Sequence, residues 1–254
     1  LNLVFYTNNN NTQIDLNIYI SMNTIVMKFG GTSVAGTEKI RNIADIVIKE
    51  VKNNKIIVVL SAMAGETNKL QSFLDDFASQ YSLESDLVLT SGEQVTIGLL
   101  SAELKNRGVK SIPLLGWQIP IITDDSHEKA KILNIDNKRI QKFFEKNDVI
   151  VLAGFQGISL DGEITSLGRG GSDTTAVAIA SSVDAKRCDI YTDVDGVYTT
   201  DPNIDKNAKK ISKMSYEEML EMASTGSKVL HTRSVELAMK NNLTLQVLSS
   251  LTKE

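Results

Sequence analysis

Short apolar runs that stop at glycines alternate along this chain with segments of helical period. That rhythm limits the possible folds more than any other feature. "TIVMKF" (24–29) ends at Gly30 and Gly31, the pattern of a strand buried on both faces. "TEKIRNIADIVIKEVK" (37–52) follows, with Ile40, Ile43, Ala44, Val47, Ile48 and Val51 at helical spacing and Thr37 as the expected N-cap. "KIIVVLS" (55–61) predicts a second strand, and "TNKLQSFLDDFASQ" (67–80) and "TSGEQVTIGLLSAELKNRG" (90–108) two more helices. The second half predicts a strand over 148–155 and a hairpin over 157–168 turning at Asp161-Gly162. A helix of small residues follows over 172–183, capped by Ser172 and Asp173, then a strand over 187–194. Helices over 215–224 and 231–241 and a strand over 243–249 complete the pattern. Alternation of this kind predicts an α/β fold, with a mostly parallel sheet covered on both faces.

The 254 residues fit one large domain or two small ones, and no repeat, linker or composition break marks a second. A net charge of -4 gives no reason to expect nucleic acid or membrane as partner, so an anionic ligand requires a local cluster of cations. The single cysteine, Cys188, excludes an intramolecular disulfide framework and fits a reducing cytosol, and its apolar setting reads as core packing. No run approaches the ~18 apolar residues of a membrane-spanning helix. Residues 1–22, with an asparagine run and no signal-peptide pattern, read as a disordered upstream extension, with Met22 or Met27 as candidate starts. The folded domain is expected over 23–254.

Four stretches fall where strands end, the ligand-binding edge of open α/β sheets. In "KFGGTS" Lys28 precedes the glycines, unlike the phosphate-loop signature, which the chain lacks. A lysine there is a fixed charge beside a phosphate, with Gly30 and Gly31 letting backbone approach. A plain turn with a solvated lysine explains the stretch equally well. "LSAMAGETN" offers the hydroxyls of Ser61 and Thr67, which ordinary turns also contain. Glu93 in "SGE" opens a helix, for which a favourable helix dipole is sufficient reason. "SLGRGGSDTTA" brackets Arg169 with glycines ahead of a helix start, which favours a gripped anion. "YTDVDGVYTTDP" fails as a calcium loop. His127 and His231 have no metal-ligand partner at helical spacing.

"KFGGTSV", "SGE", "SLGRGGSDTTA", "YTDVDGVYTTDP", "SYEEMLEMAS" and "GSKVLH", in this order over about residues 24–250, closely resemble the aspartate kinases (aspartokinases) of the amino acid kinase family. The resemblance implies a three-layer α/β/α sandwich that phosphorylates the side-chain carboxylate of L-aspartate with MgATP. That is the entry step to lysine, threonine, methionine and diaminopimelate. It implies that Lys28 meets the transferring phosphoryl group beside Gly30 and Gly31, and that Asp173 organises the catalytic cations. Arg169 and Ser172 would hold an aspartate carboxylate and Glu93 its ammonium, with Ser61 and Thr67 lining the same pocket. Thr192, Asp193, Tyr198 and Lys228 would lie along ATP. No protein metal-ligand set and no catalytic histidine is expected, since an ionised carboxylate nucleophile needs no general base. The implied setting is cytoplasmic, and a homo-oligomer stays open.

Asn203 and Thr232 depart from the family's usual arginine and proline. The family usually continues into paired ACT regulatory domains, whereas this sequence stops at "SSLTKE", which predicts a form insensitive to lysine and threonine. The alternatives are a sister kinase acting on acetylglutamate or glutamate, and a truncated module that binds nucleotide without turnover.

Overall fold

Six strands, all parallel, form the centre of the computed structural model, which describes residues 23–77, 82–194, 196–200, 204–226 and 229–250. The extension read over 1–22 lies outside the described residues. In chain order β1 (Asn23–Phe29), α1 (Thr37–Val51) and β2 (Asn54–Leu60) are followed by α2 (Glu66–Asp75), α3 (Ser82–Leu89) and α4 (Gly92–Asn106). Then come β3 (Ser111–Leu114), β4 (Ile121–Thr123), β5 (Ile132–Ile135), α5 (Asn137–Phe144) and β6 (Val149–Ala153). The hairpin strands β7 (Gln156–Ile158) and β8 (Ile164–Ser166) lead to α6 (Gly171–Ser182) and β9 (Arg187–Thr192). The chain finishes through β10 (Val197–Tyr198), β11 (Lys210–Ile211), α7 (Tyr216–Ser224), α8 (Thr232–Lys240) and β12 (Leu245–Ser249).

The central order is β12-β9-β1-β2-β6-β3, with every pairing parallel. Strand periodicity divides its side chains between two cores. Ile25, Met27, Phe29, Ile56, Val58, Leu60, Val149 and Val151 pack with α1 and α4 on one face. Val26, Ile57, Val59, Ile150, Leu152, Cys188 and Ile190 pack with α5, α6, α7 and α8 on the other. Burial on both faces explains why these strands are apolar throughout, and the result is the three-layer α/β/α sandwich. A four-stranded sheet, β5-β4-β7-β8, and the two-stranded β10-β11 complete the structure. No helix among the described residues is long and apolar enough to cross a membrane.

Three local expectations need correction. The N-cap of α1 is Gly36, at φ 101, and Thr37 is already helical with no side-chain cap bond. Ser172 and Asp173 lie inside the first turn of α6, whose N-cap is the left-handed Gly170. The second helix ends at Asp75, well short of residue 80.

Candidate active site

The carboxyl ends of four central strands finish level, because Phe29 pairs with Leu60 on one side and Tyr191 on the other, and Leu60 pairs with Ala153. The segments leaving β1, β2, β6 and β8, with the first turns of α2, α4 and α6, enclose a cavity of about 390 Å³. It lies at the edge where open α/β sheets bind ligands. Lys28, Gly31, Ser61, Thr67, Glu93, Arg169, Ser172 and Asp173 all line it. Residues scattered over 146 positions of sequence are therefore neighbours in space.

Strand alternation turns Lys28 to the same face as Val26, toward α6. Its Nζ lies 2.7 Å from Asp173 Oδ1 in the helix's first turn, with the two side chains 12% and 9% exposed. Among the described residues that ion pair is all that engages Asp173 Oδ1. Gly30 donates its N–H to Tyr191 O at 3.3 Å and stands beside the lysine head. Gly31 is needed for close approach: a Cβ there would lie 2.9 Å from Ala62 O, and Ala64 N–H donates to Gly31 O at 3.0 Å. The turns after β1 and β2 are thereby fastened together at the cavity floor.

Glu93 carries more information here than its sequence context suggests. It is only 3% exposed, and its Oε1 accepts the Ala62 N–H at 2.9 Å. Its Oε2 is buried with no hydrogen-bond partner among the described residues. Burial pushes its carboxyl up to about 7, against the lowering effect of the backbone N–H groups of Ala62 and Glu93 itself. Helix-dipole stabilisation does not require burying a carboxylate, so that sufficient reason from sequence is inadequate. Opposite, Arg169 is exposed between Gly168 and Gly170, and no hydrogen bond or ion pair engages its guanidinium among the described residues. The cavity thus carries a lone anion, a lone cation and a Lys28–Asp173 pair, an arrangement complementary to a zwitterion that carries a further anion.

Thr192 is the last residue of β9 and Asp193 follows it, next to Gly30, and Tyr198 lies in β10; none of the three lines the cavity. Thr192 Oγ1 donates to Asp193 Oδ1 at 3.1 Å. Lys228 and Asn203 lie outside the described residues. Sequence reasoning missed Asn68, Phe155 and His231, which also line the cavity. Phe155 holds φ 68, uncommon for a bulky residue and clustered at functional sites, a signal that only coordinates give. His231 is packed so tightly on Gly170 that a Cβ there would lie 2.3 Å from His231 Cγ.

Known proteins carry similar sequences and structures. An aspartokinase of Geobacillus stearothermophilus is 48% identical over 235 residues, an alignment covering 92% of this chain and 58% of the relative. The chain therefore spans less than two thirds of that relative's length. A solved aspartate kinase from Synechocystis superposes with a TM-score of 0.82 at 40% identity, covering 91% of this chain and 38% of that one. The E. coli aspartokinase III solved in complex with aspartate and ADP gives 0.77 at 29% identity, covering 89% of this chain and 62% of that one. The model of the amino acid kinase family matches residues 23–249, nearly all of the described structure, and the chain belongs to that family.

Proposed function

We propose that this chain carries the catalytic domain, residues 23–254, of an aspartate kinase. It transfers the γ-phosphoryl group of ATP to the side-chain carboxylate of L-aspartate, giving aspartyl-4-phosphate and ADP. The product would feed lysine, threonine, methionine and diaminopimelate synthesis in the cytoplasm. One observation supports this reading most strongly. A buried carboxylate oxygen without a partner (Glu93) and an unengaged guanidinium (Arg169) line the same cavity as the Lys28–Asp173 pair.

Each group has a role that its chemistry suits. Glu93 Oε2 accepts from the substrate ammonium, which returns the hydrogen bond that burial removed. Arg169 and Ser172 hold the α-carboxylate, where a planar guanidinium fork is geometrically matched. Ser61 and Thr67 close the pocket around the substrate. The side-chain carboxylate, with an ordinary pKa near ~3.9, is already ionised and attacks the γ-phosphorus as the bond to the β-phosphate oxygen breaks. Lys28 meets the negative charge on the transferring group, and catalysis is positioning plus electrostatic stabilisation. Gly30, Gly31, Thr192, Asp193, Tyr198 and Lys228 are assigned to ATP.

Among the described residues no three His, Cys, Asp or Glu side chains converge as a metal cage. Asp173, a single carboxylate engaged on Oδ1 only by Lys28, fits a magnesium ion carried in on the triphosphate, since magnesium commonly takes one or two carboxylates plus phosphate oxygens. Bound there, the ion would neutralise charge on the β- and γ-phosphate oxygens.

Glu93 bears on the choice of substrate, since acetylglutamate has no ammonium to meet its free oxygen. Acyl-phosphate trapping with hydroxylamine, run with aspartate, glutamate and acetylglutamate in parallel, tests the proposal. Hydroxamate from aspartate alone, dependent on ATP, is expected. Preferential product from either other substrate contradicts it, and no product with any of them, despite nucleotide binding, points to a module without turnover.

A further inference from the structure

Arg169 sits at the tip of a tight turn in which Gly171 N–H donates to Gly168 O at 2.9 Å and Thr174 N–H to Gly170 O at 3.1 Å, bonds that pass over Arg169 itself. Its neighbours Gly168 and Gly170 are both left-handed, at φ 69 and 73, so the backbone around Arg169 is unusually free to reorient unless something fixes it. The base of the loop is well anchored. Ser166, at the end of β8, donates to the fully buried Asp86 at 2.5 Å, and Asp86 also accepts from the Glu128 N–H and the His127 ring. Those bonds stop at Ser166, three residues short of Arg169. Beyond them, the first turn of α8 reaches the tip. Arg233 Nη2 donates to Leu167 O at 2.8 Å and to Arg169 O at 2.6 Å, while the His231 ring covers the bare Cα of Gly170.

We infer that Arg233 is a positioning residue for aspartate: by holding the carbonyls of Leu167 and Arg169 it fixes the direction in which the Arg169 side chain enters the cavity. The inference rests on the substrate assignment proposed above. One cationic nitrogen bridging two carbonyls makes charge-assisted bonds, stronger than neutral ones. Among the described residues it is the hydrogen-bond partner of the Arg169 carbonyl, while Leu167, Gly168 and Gly170 have further backbone bonds to Phe155, Gly171 and Thr174. Removing them leaves Arg169 present but unordered, so binding of the substrate must itself order the loop. A misplacement of about 1 Å in such a support is enough to matter for binding and turnover. Arg233 is exposed, and its side chain donates to the Leu167 and Arg169 carbonyls.

Calorimetric titration of L-aspartate and of MgADP into the 254-residue chain and its variants tests this without requiring turnover. Arg233→Met should weaken aspartate roughly tenfold, the weight of leaving one backbone residue to be ordered on binding. MgADP affinity should stay unchanged, and circular dichroism should show the native fold. Arg233→Lys, which keeps a donor for one carbonyl, should recover part of the loss. In an Arg169→Lys background, where the group being positioned is already impaired, Arg233→Met should add less than ~2-fold, the signature of residues acting as one unit. Equal losses for aspartate and MgADP, or fully multiplicative losses in the double variant, overturn the inference. Arg169→Lys that weakens aspartate beside a silent Arg233→Met overturns it alone. Arg169→Lys that leaves aspartate binding intact overturns the substrate assignment, and this inference with it.

Discussion

Asp189 in β9 and Glu93 in α4 are both buried carboxylates, yet their surroundings differ in one decisive respect. Asp189 is fully buried, and both of its oxygens accept from Arg187 Nε, at 3.0 and 2.9 Å. Arg187 reaches on to Glu50 of α1 at 3.0 Å, so the charges close among themselves. Glu93 has one backbone N–H on one oxygen and nothing among the described residues on the other. Burial raises both carboxyls, Asp189 to about 6 and Glu93 to about 7. A buried charge with all partners inside the protein belongs to the frame. One with a lone oxygen facing a cavity is waiting for a ligand.

The comparison is sharpened most by removing the partner that Glu93 lacks and Asp189 has. Arg187→Met leaves the Asp189 carboxylate uncompensated and should destabilise the protein by about 3–5 kcal/mol. The loss should shrink as pH falls and Asp189 takes up a proton, while activity per folded molecule is unchanged; denaturant titration at two pH values reads both. Within the site, Lys28→Met should cost about 3–4 kcal/mol of transition-state stabilisation, lowering kcat by about 10²–10³-fold. Steady-state kinetics, with circular dichroism confirming the fold, checks it, and near-normal kcat would remove Lys28 from the phosphoryl role.

Glu93→Gln keeps an acceptor for Ala62 N–H and removes the charge, so the unliganded variant should be more stable than the native chain. The sign follows from a folded pKa of about 7 standing above the ordinary carboxyl value of 4.5. Below the unfolded value the carboxyl is neutral in both states, and stability falls as pH rises through that window. The gain from Gln should therefore be small near pH 4.5 and reach on the order of 3 kcal/mol above pH 7. Denaturant midpoints across pH check it. The smallest effect concerns affinity: if the ammonium needs ionised Glu93, aspartate binding to the native chain should weaken up to about tenfold per pH unit below 7, as titration calorimetry would show.

The layered fold was legible because its strands are buried on both sides. Runs such as Ile56–Leu60 have no other explanation, and the helices between them carry a clear period. The region from Ser111 to Phe144 was not, because β3, β4 and β5 are only three or four residues long and Pro113 interrupts one of them. Caps failed for a related reason. At Gly36 and Gly170 a positive φ without any side-chain bond starts the helix, leaving Thr37 and Ser172 inside it. In the site, residue types at strand ends identified most of the cavity lining. Glu93 was undervalued, because its burial comes from the Ala62 segment packing over it, 31 positions away. His231 and Arg233 were missed because their contacts with the 167–170 loop are tertiary and follow no sequence period.

Glu93 is incompletely bonded within the protein and, once ionised, meets the ammonium of an amino-acid substrate. Thermal unfolding of the native chain and of Glu93→Gln at pH 8, each with and without saturating L-aspartate, tests it most directly. The account predicts that Glu93→Gln melts higher than the native chain without ligand and that aspartate raises the midpoint of the native chain only. A variant that melts lower than the native chain and still gains stability from aspartate would contradict it.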